Sequence, residues 1–302
     1  MKKLSFINKC TAVAAVGFLA ISCGPDEVKN DIEAPKEDTT ATTIDNPPVG
    51  KYDDAIFSIP SPIQMSSIIA ENGASYDANM LNKANKSDIY VTAESQALNL
   101  GIYGADLGYT TLYDHQQEAL KYMKASRKLA DALGISEAFD EATIQQLERN
   151  LDNKDSLLYL VANTYRKTDE FLQVRDRKHV GALIIVGGWI ESLYFATTID
   201  NSANSKDVAE LIGNQKHTLE TILDKMLVKY TDNAEIEDLY TDLSSIRESF
   251  EEVNIEYTFA ASVHNKESKT TELNSTTTVD ISPEVFKNIS DKIALLRKKI
   301  IK

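Results

Sequence analysis

One run limits what this chain can fold into. Residues Val180 to Ile199 read VGALIIVGGWIESLYFATTI and include the only tryptophan, Trp189. A run of this length is too long for an ordinary strand. Its apolar positions at 182, 186, 189/190, 193 and 196/197 keep helical spacing. A membrane span needs about 20 apolar residues with few charges. Here Glu191 lies inside the run, and Arg175, Asp176, Arg177 and Lys178 precede it. A core helix, apolar nearly all round, is the better reading. Gly187-Gly188 costs about 1 kcal/mol of helix propensity per glycine, so a neighbouring helix packed very close is the expected compensation. Glu191 is then either a carboxylate satisfied by hydrogen bonds or a buried functional carboxyl with a raised pKa.

The other segments repeat the helical period. A first short helix opens at Ser61-Pro62 and stops at Gly73. A second is expected from a cap at Ser87 or Asp88, through Tyr90 and Val91, towards Tyr109. His115 to Leu133 is a third, stopped by Gly134. Shorter helices are read over 136–151 and 157–172. Beyond the central run, one pattern goes from Val208 to Tyr230 and another from Ile236 to Val253. Asn254–Val263 and Thr271–Ile281 are rich in Thr, Val, Ile and Tyr and read as a β-hairpin, about 254–281. Ser282-Pro283-Glu284 caps a last helix, about 283–301. The expected fold is mainly all-α, a multi-helix bundle or array of about eight helices with one late hairpin, forming a single domain over 61–302.

The N-terminus directs the chain elsewhere. Lys2, Lys3 and Lys9 form a positive region, and Thr11–Ile21 is a short apolar segment ending in Ser22-Cys23-Gly24. This is a secretory signal over 1–22. Leu19-Ala20-Ile21-Ser22-Cys23 resembles a bacterial lipobox, with Ala20 where leucine is usual. The resemblance implies cleavage before Cys23 and acylation of its thiol, so the membrane is a partner through the lipid anchor. Cys10 leaves with the leader, and Cys23 is the other of the two cysteines. No disulfide and no thiolate metal site is therefore expected in the mature chain. Acyl chains contribute about 0.8 kcal/mol per buried methylene, enough for a stable anchor.

Residues 23–60 then read as the lipidated cysteine and a disordered acidic tether, rich in Asp, Glu, Thr, Pro and Asn. At about 3.3–3.6 Å per residue its full reach is on the order of 100 Å. Gly24-Pro25-Asp26-Glu27 resembles the short acidic signals that send Bacteroidota lipoproteins to the cell surface. Lipobox, tether and helical body together resemble the helical outer-membrane lipoproteins of unknown function in that group. The resemblance implies an outer-membrane, lipid-anchored location, with the cell-surface face favoured over the periplasmic one.

Candidate chemistry is sparse. Asn99–Tyr109 carries glycines at 101, 104 and 108 on one helix face but lacks the strand and the GK[ST] of a phosphate loop. Close helix–helix contact is the plainer reading. A polar ligand pocket formed by Tyr103, Asp106 and Tyr109, with Trp189 and Glu191 from the central run, is the sharper one. His115/Glu118 and His217/Glu220 stand three residues apart, a spacing that could supply two metal ligands from one helix face; His264/Glu267 repeats it. His115-x-x-Glu118 also resembles part of the GxHxxE motif of imelysins, helical envelope proteins, although Tyr113 occupies the glycine position. There is no HExxH, no GxSxG and no cysteine pair, and no cofactor is indicated.

The net charge of −14 disfavours nucleic acid as a partner. The sequence therefore points first to a non-enzymatic binding or scaffold lipoprotein with a protein, glycan or small-ligand partner. Second is a metal- or haem-associated envelope protein using the His/Glu pairs. Third is a carboxylate hydrolase around Asp106 or Glu191.

Overall fold

The computed structural model describes residues 49–52, 55–58, 61–136, 177–199, 205–265, 270–272 and 274–302, with scattered positions between 142 and 167. The protein is mainly helical, as its periodicity predicts. Most of the two helices read over 136–151 and 157–172, the segment 1–48 with Cys23, and Glu267 lie outside the described residues. Within the stretch read as tether, β1 (Val49–Tyr52) and β2 (Ala55–Ser58) pair antiparallel.

Helix α1 (Pro62–Glu71) begins with Ser61 as N-cap, its hydroxyl accepting from the Gln64 amide while the Gln64 side chain accepts from the Ser61 amide. This reciprocal box satisfies two donors that a helix start leaves open. Helix α2 (Ala93–Leu112) uses Thr92 and Ser95 in the same way. Its start is therefore later than expected. Tyr90 and Val91 lie outside it, and Ser87 and Asp88 follow a short 3-10 turn, Ala84–Lys86, instead of capping the helix. The local Thr-x-x-Ser box outcompetes the apolar pattern. The segment from Gly73 to Thr92 thus becomes a long connection with two tight turns, Ala78–Met80 and Ala84–Lys86.

Helix α3 (Gln116–Ala132) ends at Gly134, whose φ of 67° lets the Ile135 amide reach back to Ala130 O. The end of α2 makes the same turn with Asp114 at φ 60°, its next amide, His115 N, bonding Thr110 O at 2.8 Å. Aspartate is among the few non-glycine residues that take this conformation readily.

The central run is helix α4 (Lys178–Thr198). It is long and apolar enough to cross a membrane, yet 89 % of that apolar window is buried within the protein. The glycines explain its position. A Cβ on Gly101 of α2 would lie 2.0 Å from Ile184 O of α4, and one on Gly187 would lie 2.0 Å from Leu98 O of α2. The two backbones touch where neither helix carries a side chain. Further along, Tyr109 of α2 packs on Phe195 of α4 with ring centroids 4.8 Å apart. Contacts advance together on both helices, so α2 and α4 run in the same direction.

Helix α5 (Lys206–Thr221), capped by Ser205, widens into a π turn at Ile222–Leu227 and tightens at Val228–Tyr230. The expected helix to Tyr230 is present but not uniform. Asn233 caps α6 (Ala234–Glu251). The hairpin is real but broken into two ladders. β3 (Asn254–Thr258) pairs β6 (Thr276–Asp280), and β4 (Val263–Asn265) pairs β5 (Thr270–Glu272), all antiparallel. Between them the Ser275 hydroxyl accepts from Ala260 N and donates to Ala260 O, standing in for a ladder rung. Val279 packs into the gap left by Gly213 of α5.

Helix α7 (Pro283–Ile300), capped by Ser282, buries Val285, Ile289, Ile293 and Leu296. Ser290 donates to Thr197 O and Arg297 reaches back to Glu191, so α7 runs antiparallel to α4 and hence to α2, where Asn99 donates to Ile300 O.

A sealed carboxyl–guanidinium cluster

The glycine crossing fixes the chemistry beyond it. Asp106 lies five residues after Gly101 and Glu191 three after Gly188, so both carboxyls project just past the point where α2 and α4 touch. Against Glu191 comes Arg297 from the last turn of α7. Its Nε donates to Glu191 Oε2 at 2.5 Å, and its Nη2 donates to Glu191 Oε1 and to Met80 O, each at 2.6 Å. The guanidinium also lies over the Tyr194 ring, 4.2 Å from its centroid, an attraction of electrostatic origin. Asp106 and Glu191 are 0 % exposed and Arg297 is 7 % exposed.

The connection before α2 closes this cluster. Asn82, buried, donates from Nδ2 to Tyr90 Oη at 3.0 Å and to Asn99 Oδ1 at 3.2 Å, and its backbone faces Asp106. Tyr103 donates its hydroxyl to Lys83 O at 3.0 Å. Among the described residues, neither oxygen of Asp106 has a hydrogen-bond partner of ordinary geometry.

Burial, and then the negative Glu191, raise the Asp106 carboxyl well above the usual range, with Arg297 opposing. Burial raises Glu191 as well, opposed by Arg297 and by Asp106. Two N–H donors on its two oxygens make Glu191 the member that stays ionised. Burial also raises the phenols of Tyr90, Tyr103 and Tyr122 around the cluster.

Of the five residues read as pocket candidates, Asp106 and Glu191 converge and Tyr103 flanks them. The other two belong elsewhere. Tyr109 accepts from the Asp77 amide at 3.0 Å and sits in an aromatic stack with Tyr76, Tyr113 and Phe195. Trp189 faces α5, donating from Nε1 to Gln215 Oε1 at 3.0 Å. A helix puts residues 189 and 191 on different sides, which a linear reading of the run does not convey.

The His/Glu pairs are also separated by local structure. His115 precedes α3, is exposed, and stacks on Tyr76 with ring centroids 3.6 Å apart, while Glu118 pairs with Lys121 at 2.6 Å. His217 Nδ1 lies 3.2 Å from Glu220 Oε2 on the exposed side of α5. Among the described residues no third His, Cys, Asp or Glu joins either pair in a metal-binding group.

Arg297 and Asn82 are the members that sequence reading misses. Arg297 falls four residues after Ile293 and eight after Ile289, on the buried stripe of α7. A charged residue in register with an apolar stripe was the available signal. Nothing comparable marks Asn82. Searches of protein-family models, of curated proteins and of solved structures return no match to this chain.

Proposed function

We propose that the protein is a cell-envelope lipoprotein, anchored through Cys23 and serving as a non-enzymatic binding or scaffold module on the outer membrane, with its surface face favoured. The lipobox-like Leu19–Cys23, the acidic residues after it and the acidic composition support the location.

One observation carries the non-catalytic part. Two of the three convergent ionisable residues are spent on each other: both Glu191 oxygens and the Arg297 Nε and Nη2 donors are used in holding α7 to α4 and to Met80 O, while Asp106 is fully buried behind them. A general acid or base must reach a substrate proton directly or through one water, and both carboxyls of this cluster are 0 % exposed. Its chemistry is that of a structural clamp, which leaves recognition to the outer surface.

The test is acylation and topology together. Cells expressing the full chain with an alkyne fatty acid should label the protein, and Cys23→Ala should abolish both label and membrane retention. Protease added to intact cells should degrade the anchored protein. An unlabelled, freely secreted wild type would overturn the anchor, and protection from protease in intact cells but not lysed ones would overturn the surface face. Incubation of purified protein with broad ester, glycoside and peptide substrates should give turnover no different from Glu191→Gln; turnover lost in that variant while its fold persists would overturn the non-catalytic reading.

A further inference from the structure

The cluster contains two carboxyls and one guanidinium, and the guanidinium is committed. Paired through two hydrogen bonds, Arg297 and Glu191 are together close to neutral. Asp106 is then a second sealed carboxyl without a counter-charge of its own. An isolated ionised carboxylate in such surroundings is so unfavourable that the group takes up a proton instead.

Every element packed against Asp106 agrees. Glu191 faces it from α4 and Arg297 from α7, Tyr103 from α2 itself, Tyr122 from α3, and Tyr76, Tyr90 and the Asn82 amide from the connection before α2. Arg297 is the one cation in that set. The phenols are neutral, and Tyr103 directs its hydroxyl away, to Lys83 O.

We propose that the cluster holds one proton, seated on Asp106, and that this proton latches the C-terminal turn of α7 to the α2–α4 pair. On its loss to solvent the cluster passes from about neutral to a net charge of −1. The last turn of α7 is the part of the wall that can yield. It is fixed by Arg297, by the Lys299–Asp242 ion pair at 2.7 Å on its exposed side, and by two carbonyls, Ile300 O accepting from Asn99 Nδ2 at 3.3 Å and Ile301 O accepting from Lys86 Nζ at 2.8 Å. Opening there admits water to the ionised carboxyl without disturbing the glycine contact of α2 and α4. Since the closed form binds the proton and the open form releases it, the latch is tight at low pH and loosens as pH rises.

Two measurements on the purified full chain test this. Carboxyl 13C NMR of aspartate- and glutamate-labelled protein should place Asp106 Cγ at the protonated position at pH 7 and Glu191 Cδ at the carboxylate position. Hydrogen exchange of residues 293–302 should be compared with Asp106→Asn, which keeps the shape but cannot ionise. Relative to that variant, wild-type protection should fall with rising pH by up to about tenfold per unit, the limit for a single proton.

An ionised Asp106 at pH 7, the proton on Glu191, or the same pH dependence in both proteins would overturn the proposal. Should Asp106→Asn not fold, the wild-type carboxyl signals decide alone.

Discussion

Arg297 and Glu191 stand 106 residues apart in the chain and meet through two hydrogen bonds of 2.5 and 2.6 Å. The pair ties the final turn of the last helix to the middle of the central one. Removing one partner of a buried ion pair typically costs 3–5 kcal/mol, because the other is left as an uncompensated charge. Arg297→Met should therefore lower unfolding stability by about 3–5 kcal/mol at neutral pH. Burial already holds the Glu191 pKa above its ordinary value with Arg297 opposing, and without the guanidinium it rises further above its unfolded value. The penalty is then absent below the unfolded pKa and grows as pH rises, so chemical denaturation at pH 4 and pH 7 should show the loss mainly at pH 7. A variant equally unstable at both would mean that packing, and not charge, dominates.

The crossing of α2 and α4 makes a sharper steric prediction. Gly101→Ala and Gly187→Ala each gain about 1 kcal/mol of helix propensity. Each also sets a methyl group 2.0 Å from a backbone carbonyl oxygen of the other helix. Backbone cannot turn aside as a side chain can, so both variants should lose stability, by about 1–3 kcal/mol or more. Gly108→Ala is the control. Its nearest neighbour is Cγ1 of the Ile63 side chain at 3.0 Å, with no backbone of another helix in reach, and it should be milder in the same thermal melts.

Tyr76 and Tyr109 give the protein an alkaline limit. Burial pushes both phenols up to about 12 from the ordinary value of 10.0. Because the folded pKa is raised, their stabilising contribution is intact below pH 10 and is lost as pH climbs from 10 to about 12. Tyrosinate absorbance for these rings should appear together with loss of the fold. Among the described residues the Tyr76 hydroxyl has no hydrogen-bond partner, so Tyr76→Phe should be near neutral at pH 7 and should extend the alkaline limit. Tyr109→Phe gives up the acceptor for Asp77 N and should cost about 1 kcal/mol.

Trp189 reports on the core directly. It is the only tryptophan, buried at 1 % exposure, with its Nε1 donated to Gln215. Its emission should be strongly blue-shifted in the folded protein and should follow global unfolding. Gln215→Leu leaves that indole N–H buried without its acceptor, at a cost of about 1–3 kcal/mol. A change within a few tenths of a kcal/mol would show that the indole finds another partner.

The class of fold was legible because each long segment carries a 3.6-residue period, and the period survives without knowledge of neighbours. Gly134, Ser282-Pro283 and the late run of Thr, Val and Ile marked their boundaries for local chemical reasons, and the structure keeps them. The start of α2 was misread because apolar Tyr90 and Val91 continue the pattern while the Thr92–Ser95 box, a purely local arrangement, ends it. Gly187-Gly188 announced a close neighbour but not which one.

That choice, and with it the meeting of Asp106, Glu191 and Arg297, belongs to the tertiary structure. Which charged groups converge depends on three helices being parallel or antiparallel in a particular register, and no periodicity within one segment encodes a distance to another. The sequence by itself determined a helical protein with an apolar helix at its centre. The packing of α7 against that helix decided that its one internal acid would be held by an arginine from the far end of the chain.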